Sequence, residues 1–244
     1  MSSSSDKPCS VLVTRPLHQA KHFIEQLRNR QFKVLHLPSI EIVFDSADLT
    51  ETLRSDLIIF TSANAVTGAN RNLQFPWNTK AKIAAIGSAT ADMLKQLDCR
   101  VDIVPHAAAS TEALLEVIGH TANLDVTIVR GDSGRNKLFD ALTDQGAKPV
   151  YQSVYKRKLP DYSHAHIATL FREGLPDIIS VTSDLGLTNL LAIIPSELNL
   201  QSKPLVVNSA RCARIAVEKG FTSKILVADP PGDDSQLSKI LSLR

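Results

Sequence analysis

Apolar residues along this chain fall into two alternating patterns. Continuous runs of about five, such as VLVT at 11–14, LIIF at 57–60, IAAIG at 83–87 and TIVR at 127–130, alternate with stretches like Ala20, Phe23, Ile24 and Leu27, whose apolar positions recur every three to four residues. The second pattern lays one apolar stripe along a helix, while the first marks strands covered on both faces. Strands alternating with crossover helices predict small open parallel sheets with helices packed on them, an α/β fold. Two segments break the rhythm: LHLPSIEIVFD at 35–45 and YQSVYKRKLPDY at 151–162 are β-rich, extended and punctuated by proline, and are expected to link two domains.

The pattern repeats itself. DLIIFTSANAVTGANRNL at 56–73 resembles DIISVTSDLGLTNLLAII at 177–194, and IAAIGSATADMLKQL at 83–97 resembles PLVVNSARCARIAVE at 204–218, both at an offset of 121 (182 minus 61, 209 minus 88). The openings of the halves, 10–38 and 126–153, also correspond, with Arg15 matching Arg130 at an offset of 115 (130 minus 15). Each half therefore carries one strand and helix order, the mark of duplicated domains, and the repeat alone suggests a cut near residue 124.

In an open parallel sheet, ligands bind outside the carboxyl ends of the strands, where helices begin. Thr61-Ser62, Gly87-Ser88, Thr182-Ser183 and Asn208-Ser209 stand at four such junctions. Small polar residues there cap helices, and for any one of them capping alone is the simpler reading. Recurrence at four equivalent places points instead to a site, and helix N-termini bind anions. Arg15, Arg130, Arg135 and Arg211 add directed positive charge for carboxylates.

Other chemistry is less well supplied. His18 and His22 lie four apart on a helix without a third ligand, and His164 and His166 sit in a polar linker, so no metal is expected. RGDSGR at 130–135 lacks both the dinucleotide glycine spacing and a P-loop lysine, and G-x-S-x-G and H-E-x-x-H are absent from the sequence. A nucleotide cofactor is therefore disfavoured.

Composition narrows the classes further. At 244 residues and 43% hydrophobic content the chain can fill two cores. Lys plus Arg is 27 against 25 for Asp plus Glu, a difference of +2, which offers no cationic field for nucleic acid. Three scattered cysteines, Cys9, Cys99 and Cys212, suggest neither disulfides nor zinc and fit a reducing, cytoplasmic compartment. No apolar stretch reaches membrane-spanning length, and the start, MSSSSDKPCS, lacks a secretory signal; residues 1–8 are expected to fray, or to be a transit-peptide remnant if the source has plastids. No long exposed apolar stripe demands a partner, so a monomer is the default.

FTSANAV at 60–66, AIGSATA at 85–91, VRG at 129–131, the VY of 154–155 and TS-x-x-GL-x-NL at 182–190 together resemble the uroporphyrinogen-III synthase family, in its order and throughout the chain. The resemblance implies two similar flavodoxin- or Rossmann-like domains that interleave: 1–37 with 159–244, and 39–156. It implies that hydroxymethylbilane, handed on from the upstream deaminase, is closed to uroporphyrinogen III in the cleft between domains. The last pyrrole is inverted through a spiro intermediate, with loss of water and no metal or organic cofactor. By position, Tyr155 matches the tyrosine proposed in the family to help hydroxide leave; a structural role for a buried linker tyrosine is the alternative. Ser62, Thr90 and Ser183 match polar cleft positions, and Asn64, Ser88 and Ser209 lie in the same segments. With Arg15, Arg130 and Arg211 they form the expected substrate-binding set. The rival readings are a non-catalytic two-lobed binder of an anionic small molecule and a nucleotide-sugar or dinucleotide enzyme, the latter disfavoured by the missing glycine fingerprint.

Overall fold

The computed structural model describes residues 7–106 and 110–244, so most of the expected frayed start lies outside the described residues. Two compact units divide the chain: residues up to Glu41 together with Lys158–Arg244, and Ile42–Arg157. The first contains β1 (Ser10–Val13), α1 (Leu17–Asn29), β2 (Lys33–His36), α6 (His164–Leu170), β8 (Ile178–Val181), α7 (Asp184–Ile193), β9 (Leu205–Val207), α8 (Ala210–Glu218), β10 (Ile225–Val227) and α9 (Asp233–Leu241). The second contains β4 (Leu57–Phe60), α2 (Ala63–Asn72), β5 (Lys82–Ala85), α3 (Ser88–Gln96), α4 (Thr111–Ile118), β6 (Asp125–Gly131) and α5 (Lys137–Asp144). The unit boundaries fall inside the two extended segments, β3 (Glu41–Phe44) and β7 (Lys148–Lys158).

Each unit is one five-stranded sheet, ordered β10-β9-β8-β1-β2 in the first and β3-β7-β6-β4-β5 in the second. The continuous apolar runs have the explanation that two-sided burial supplies. Along β1, Val11 and Val13 face Phe23, Ile24 and Leu27 of α1 and Leu237 of α9, whereas Leu12 faces Leu187 and Leu190 of α7. In β4, Ile58 and Phe60 meet Ala65, Val66 and Ala69 of α2, while Leu57 and Ile59 meet Leu114 of α4 and Leu138 and Leu142 of α5. Each such large apolar side chain contributes about 1.5–3 kcal/mol by leaving water, and the polar residues Ser180 and Thr127, inside the neighbouring strands β8 and β6, are each hydrogen-bonded, to Gln236 and Ser55.

The two sheets use one plan threaded in two chain orders. In sequence order the first unit reads 2-1-3-4-5, the flavodoxin arrangement. In the second, β6 and β7 take the places of β1 and β2, β4 and β5 take those of β8 and β9, and Ile103, bridged to Ala84, stands where β10 does. The apolar run VDIV at 101–104 forms only this bridge; Pro105 has no N–H to extend a ladder. The repeated acidic residue that opens β4 and β8 is structural. Asp177 Oδ2 accepts the Ser10 N–H at 2.7 Å, and Asp56 Oδ2 accepts the Asp125 N–H at 2.9 Å, each tying the start of one strand to its neighbour.

Strand pairing also corrects the repeat by one residue. Ile58 pairs with Ile83 and Ile179 with Leu205, so the offset is 121 for the first strand of each pair but 122 (205 minus 83) for the second. The residue equivalent to Ser209 is thus Gly87, not Ser88.

Candidate active site

The parallel ladders bring the carboxyl ends of β4 and β6 side by side in the second unit, and those of β1 and β8 in the first. Three of the four junction serines are helix caps. Ser62, Ser183 and Ser209 accept the N–H of Ala65, Gly186 and Cys212, each at 3.1 Å. The fourth helix, α3, is capped by Gly87 without a side-chain bond, leaving Ser88 exposed in the first turn and Thr90 buried. Capping accounts for one N–H at each of the three ends; the N–H of the first helical residue, Ala63 in α2, has no acceptor within its helix. The Asn64 side chain is buried.

The arginines divide by unit. Arg15 is ion-paired with Asp233 at 2.7 Å and lies over the Phe23 ring, and Arg211 is ion-paired with Asp184, so both of these arginines already have an acid partner. In the second unit Arg130 lies over the Tyr151 ring at 4.5 Å and donates from Nε to the Gly131 carbonyl at 3.2 Å. Arg135 is exposed on the following loop, and its carbonyl lies 3.5 Å from Arg130 Nη1. Among the described residues, no carboxylate pairs with Arg130, Arg135 or Arg157.

These three arginines, with Thr61, Ser133, Tyr151 and Tyr155, line a cavity of about 270 Å³ beside the ends of β4 and β6. Tyr155 is 1% exposed. Its Oη lies 3.2 Å from Ser62 Oγ and accepts the Arg157 Nη2–H at 2.9 Å. A bulge between Arg130 and Gly131 sets Gly131 opposite Tyr155, and a Cβ on Gly131 would come within 2.8 Å of the phenol ring. The glycine of VRG is therefore the floor on which the tyrosine lies.

Sequence reasoning missed Arg157, hidden in the basic run KRK of a linker. A signal was present: residues two apart on a strand share a face, so Tyr155 and Arg157 had to point the same way. Of the set expected by sequence, Ser62, Tyr155 and Arg130 come together around this cavity region, whereas Arg15, Ser183, Ser209 and Arg211 belong to the other unit. His22 lies 4.0 Å from Asp233, the carboxylate already held by Arg15.

Comparison with known proteins decides the family. Residues 21–237 match the family model described as uroporphyrinogen-III synthase HemD. The chain belongs to the uroporphyrinogen-III synthase family. It is similar to uroporphyrinogen-III synthase of Escherichia coli strain K12, 30% identical over 242 residues that take in 93% of this chain and 98% of that one. The synthase of Synechococcus elongatus is 26% identical over 219 residues, covering 85% and 81%. Among solved structures, uroporphyrinogen-III synthetase from Helicobacter pylori 26695 superposes with a TM-score of 0.68 at 20% identity, across 98% of this chain and 100% of that one. At that identity the likeness concerns the fold, two α/β units with mostly parallel sheets. Full-length kinship at 30% supports the activity as well: the enzyme is a uroporphyrinogen-III synthase of tetrapyrrole biosynthesis.

Proposed function

We propose that hydroxymethylbilane, supplied by the upstream deaminase, is bound through its acetate and propionate groups at the strand-end faces and loses its terminal hydroxyl to a proton from Tyr155. The observation that carries this reading is the phenol beside the cavity of the second unit, with its hydroxyl between Ser62 and Arg157. Electron-rich pyrroles push the hydroxyl out, so the protein's task is to hold a flexible chain in a reactive shape and donate one hydrogen bond to the departing oxygen. The positive methylene carbon left behind is attacked by the last pyrrole at its substituted carbon, giving a spiro intermediate. That intermediate reopens and recloses with the ring inverted, and the proton finally lost from the ring carbon restores the phenol.

Carboxylates are received in two chemically different ways. Arg130 and Arg135, without acid partners among the described residues, offer charge-assisted bonds; the helix starts after Ser62, Gly87, Ser183 and Ser209 offer first-turn N–H groups at the positive ends of helices, with Ser88, Asn64 and Thr90 in those turns. Arg15 and Arg211 already face acidic side chains, Asp233 and Asp184, which offset their charge toward a substrate carboxylate. The three free cysteines support action in a reducing compartment, and we take the working enzyme to be a monomer.

The test couples this enzyme to the deaminase with porphobilinogen, oxidises the products and separates the uroporphyrin isomers. Isomer III is expected; isomer I alone, the product of spontaneous closure, would leave the protein a binder. Tyr155→Phe should lower kcat by roughly tenfold with little change in KM, less than a typical general acid contributes because the pyrroles supply most of the push. Equal loss in both parameters would remove the leaving-group role.

A further inference from the structure

We propose that Arg157 is a positioning residue for catalysis: it fills an acceptor site on the Tyr155 oxygen and so directs the phenolic proton toward the departing hydroxyl. This inference rests on the proposed role of Tyr155. A phenol has one proton to give and two lone pairs to fill. Arg157 Nη2 donates to Oη at 2.9 Å, which occupies one. Ser62 Oγ, 3.2 Å away, accepts the Ala65 N–H, and in one of the two orientations this pair allows it gives its own proton to the other lone pair. In that orientation both lone pairs are filled, and the phenolic proton is directed to whatever occupies the cavity.

Arg157 is held for this purpose at both ends of its guanidinium. Nη1 lies 3.5 Å from the Ser133 carbonyl, on the loop after β6, and the cation sits 5.4 Å from the centre of the Tyr155 ring. A guanidinium is always charged and normally seeks a carboxylate; here, among the described residues, it is given a phenol and a carbonyl instead. The pairing matters when the proton moves. The C–O bond of the substrate breaks with its electron pair on oxygen, the Tyr155 proton joins that oxygen to make water, and the phenolate left behind carries a full negative charge 2.9 Å from a fixed cation. The charge is neutralised when the proton from the closing ring returns.

The experiment is a double-mutant cycle on the full chain, in the coupled assay with steady-state kinetics: Arg157→Gln, Arg157→Lys, Tyr155→Phe and the Arg157→Gln/Tyr155→Phe pair, each checked for an unchanged melting transition. Arg157→Gln should reduce kcat about tenfold, the scale of one charge-assisted hydrogen bond, with KM within about twofold. Arg157→Lys, which keeps a donor and a charge, should recover part of that loss and serves in place of the glutamine variant if the latter does not fold. In the Tyr155→Phe background, Arg157→Gln should cost nothing further. A raised KM at constant kcat, or a full extra loss on top of Tyr155→Phe, would mean that Arg157 binds substrate directly and would overturn the proposal. If Tyr155→Phe is slow but Arg157→Gln is not, this inference fails and the role of Tyr155 stands; if Tyr155→Phe is at full rate, the role of Tyr155 itself fails.

Discussion

A side chain missing one carbon decides where Tyr155 can lie. Gly131 has no Cβ, and adding one would bring it within 2.8 Å of two ring atoms, with the Tyr155 backbone fixed in the ladder opposite. Gly131→Ala should therefore displace the ring, costing about 1–3 kcal/mol in stability as overpacking does. It should also cost activity beyond what that instability explains, measured as isomer III formed per folded enzyme. Gly68→Ala is the control, since its Cβ would meet the Val154 carbonyl at 2.7 Å and strain the same strand away from the phenol hydroxyl. At this scale the cysteines also separate. Burial pushes the Cys212 thiol up to about 12, with the nearby Asp184 carboxylate acting in the same direction, and pushes Cys99 up to about 11. Cys9 is only partly covered and is raised less. A thiol reagent at neutral pH should modify Cys9 first and reach Cys99 and Cys212 on the timescale of unfolding.

Helices and strands respond to their ends. Replacing Ser62, Ser183 or Ser209 by alanine removes a cap bond and should cost about 0.5–2 kcal/mol each, whereas Ser88→Ala, behind a glycine cap, should stay within about 0.5 kcal/mol in denaturant titrations. The four serines are indistinguishable as letters: a single-residue register shift between β4·β5 and β8·β9 lets Ser88 line up with Ser209 in an alignment while a different residue does the capping. Strand identity, by contrast, was legible because two-sided burial leaves no polar positions within runs such as LIIF. Strand starts carry a pH dependence. Partial burial opposes ionisation of Asp177, but bonds from the Ser10 N–H and hydroxyl outweigh it and hold the carboxyl below its ordinary value. A depressed folded-state pKa contributes stability above the unfolded value, and that contribution is lost as pH falls through the folded one. The stability gap between the native chain and Asp177→Asn should accordingly be open at pH 5 and close as pH drops below about 3.9.

As a whole, the molecule holds one sheet plan in two threadings. The periodicity of 57–60, 83–87 and 127–130 revealed the α/β class, but strand order lies in pairings between residues as far apart as Val11 and Ile178, which no local pattern encodes. The same limit hid the cavity, whose wall combines Thr61, Arg130 and Arg157 from three strand ends. The second unit is continuous in sequence and has apolar clusters on both faces of its sheet. Residues 42–157 expressed alone should therefore unfold in a single cooperative transition. Residues 158–244 alone lack β1, the strand between β8 and β2, and should remain unfolded until residues 7–41 are supplied, as circular dichroism of the mixed fragments would report.

That threading sets a schedule for the nascent chain. β1 and β2 leave the ribosome close together, yet β8, the neighbour on the other side of β1, is encoded more than a hundred codons later. At roughly 5–20 residues per second, an apolar strand waits on the order of 10 s with one edge open while the entire second unit is made. Val11, Leu12 and Val13 stay uncovered on that edge for the interval, so slowing elongation between codons 60 and 170 should lower the soluble yield of this enzyme more than slowing it after codon 210.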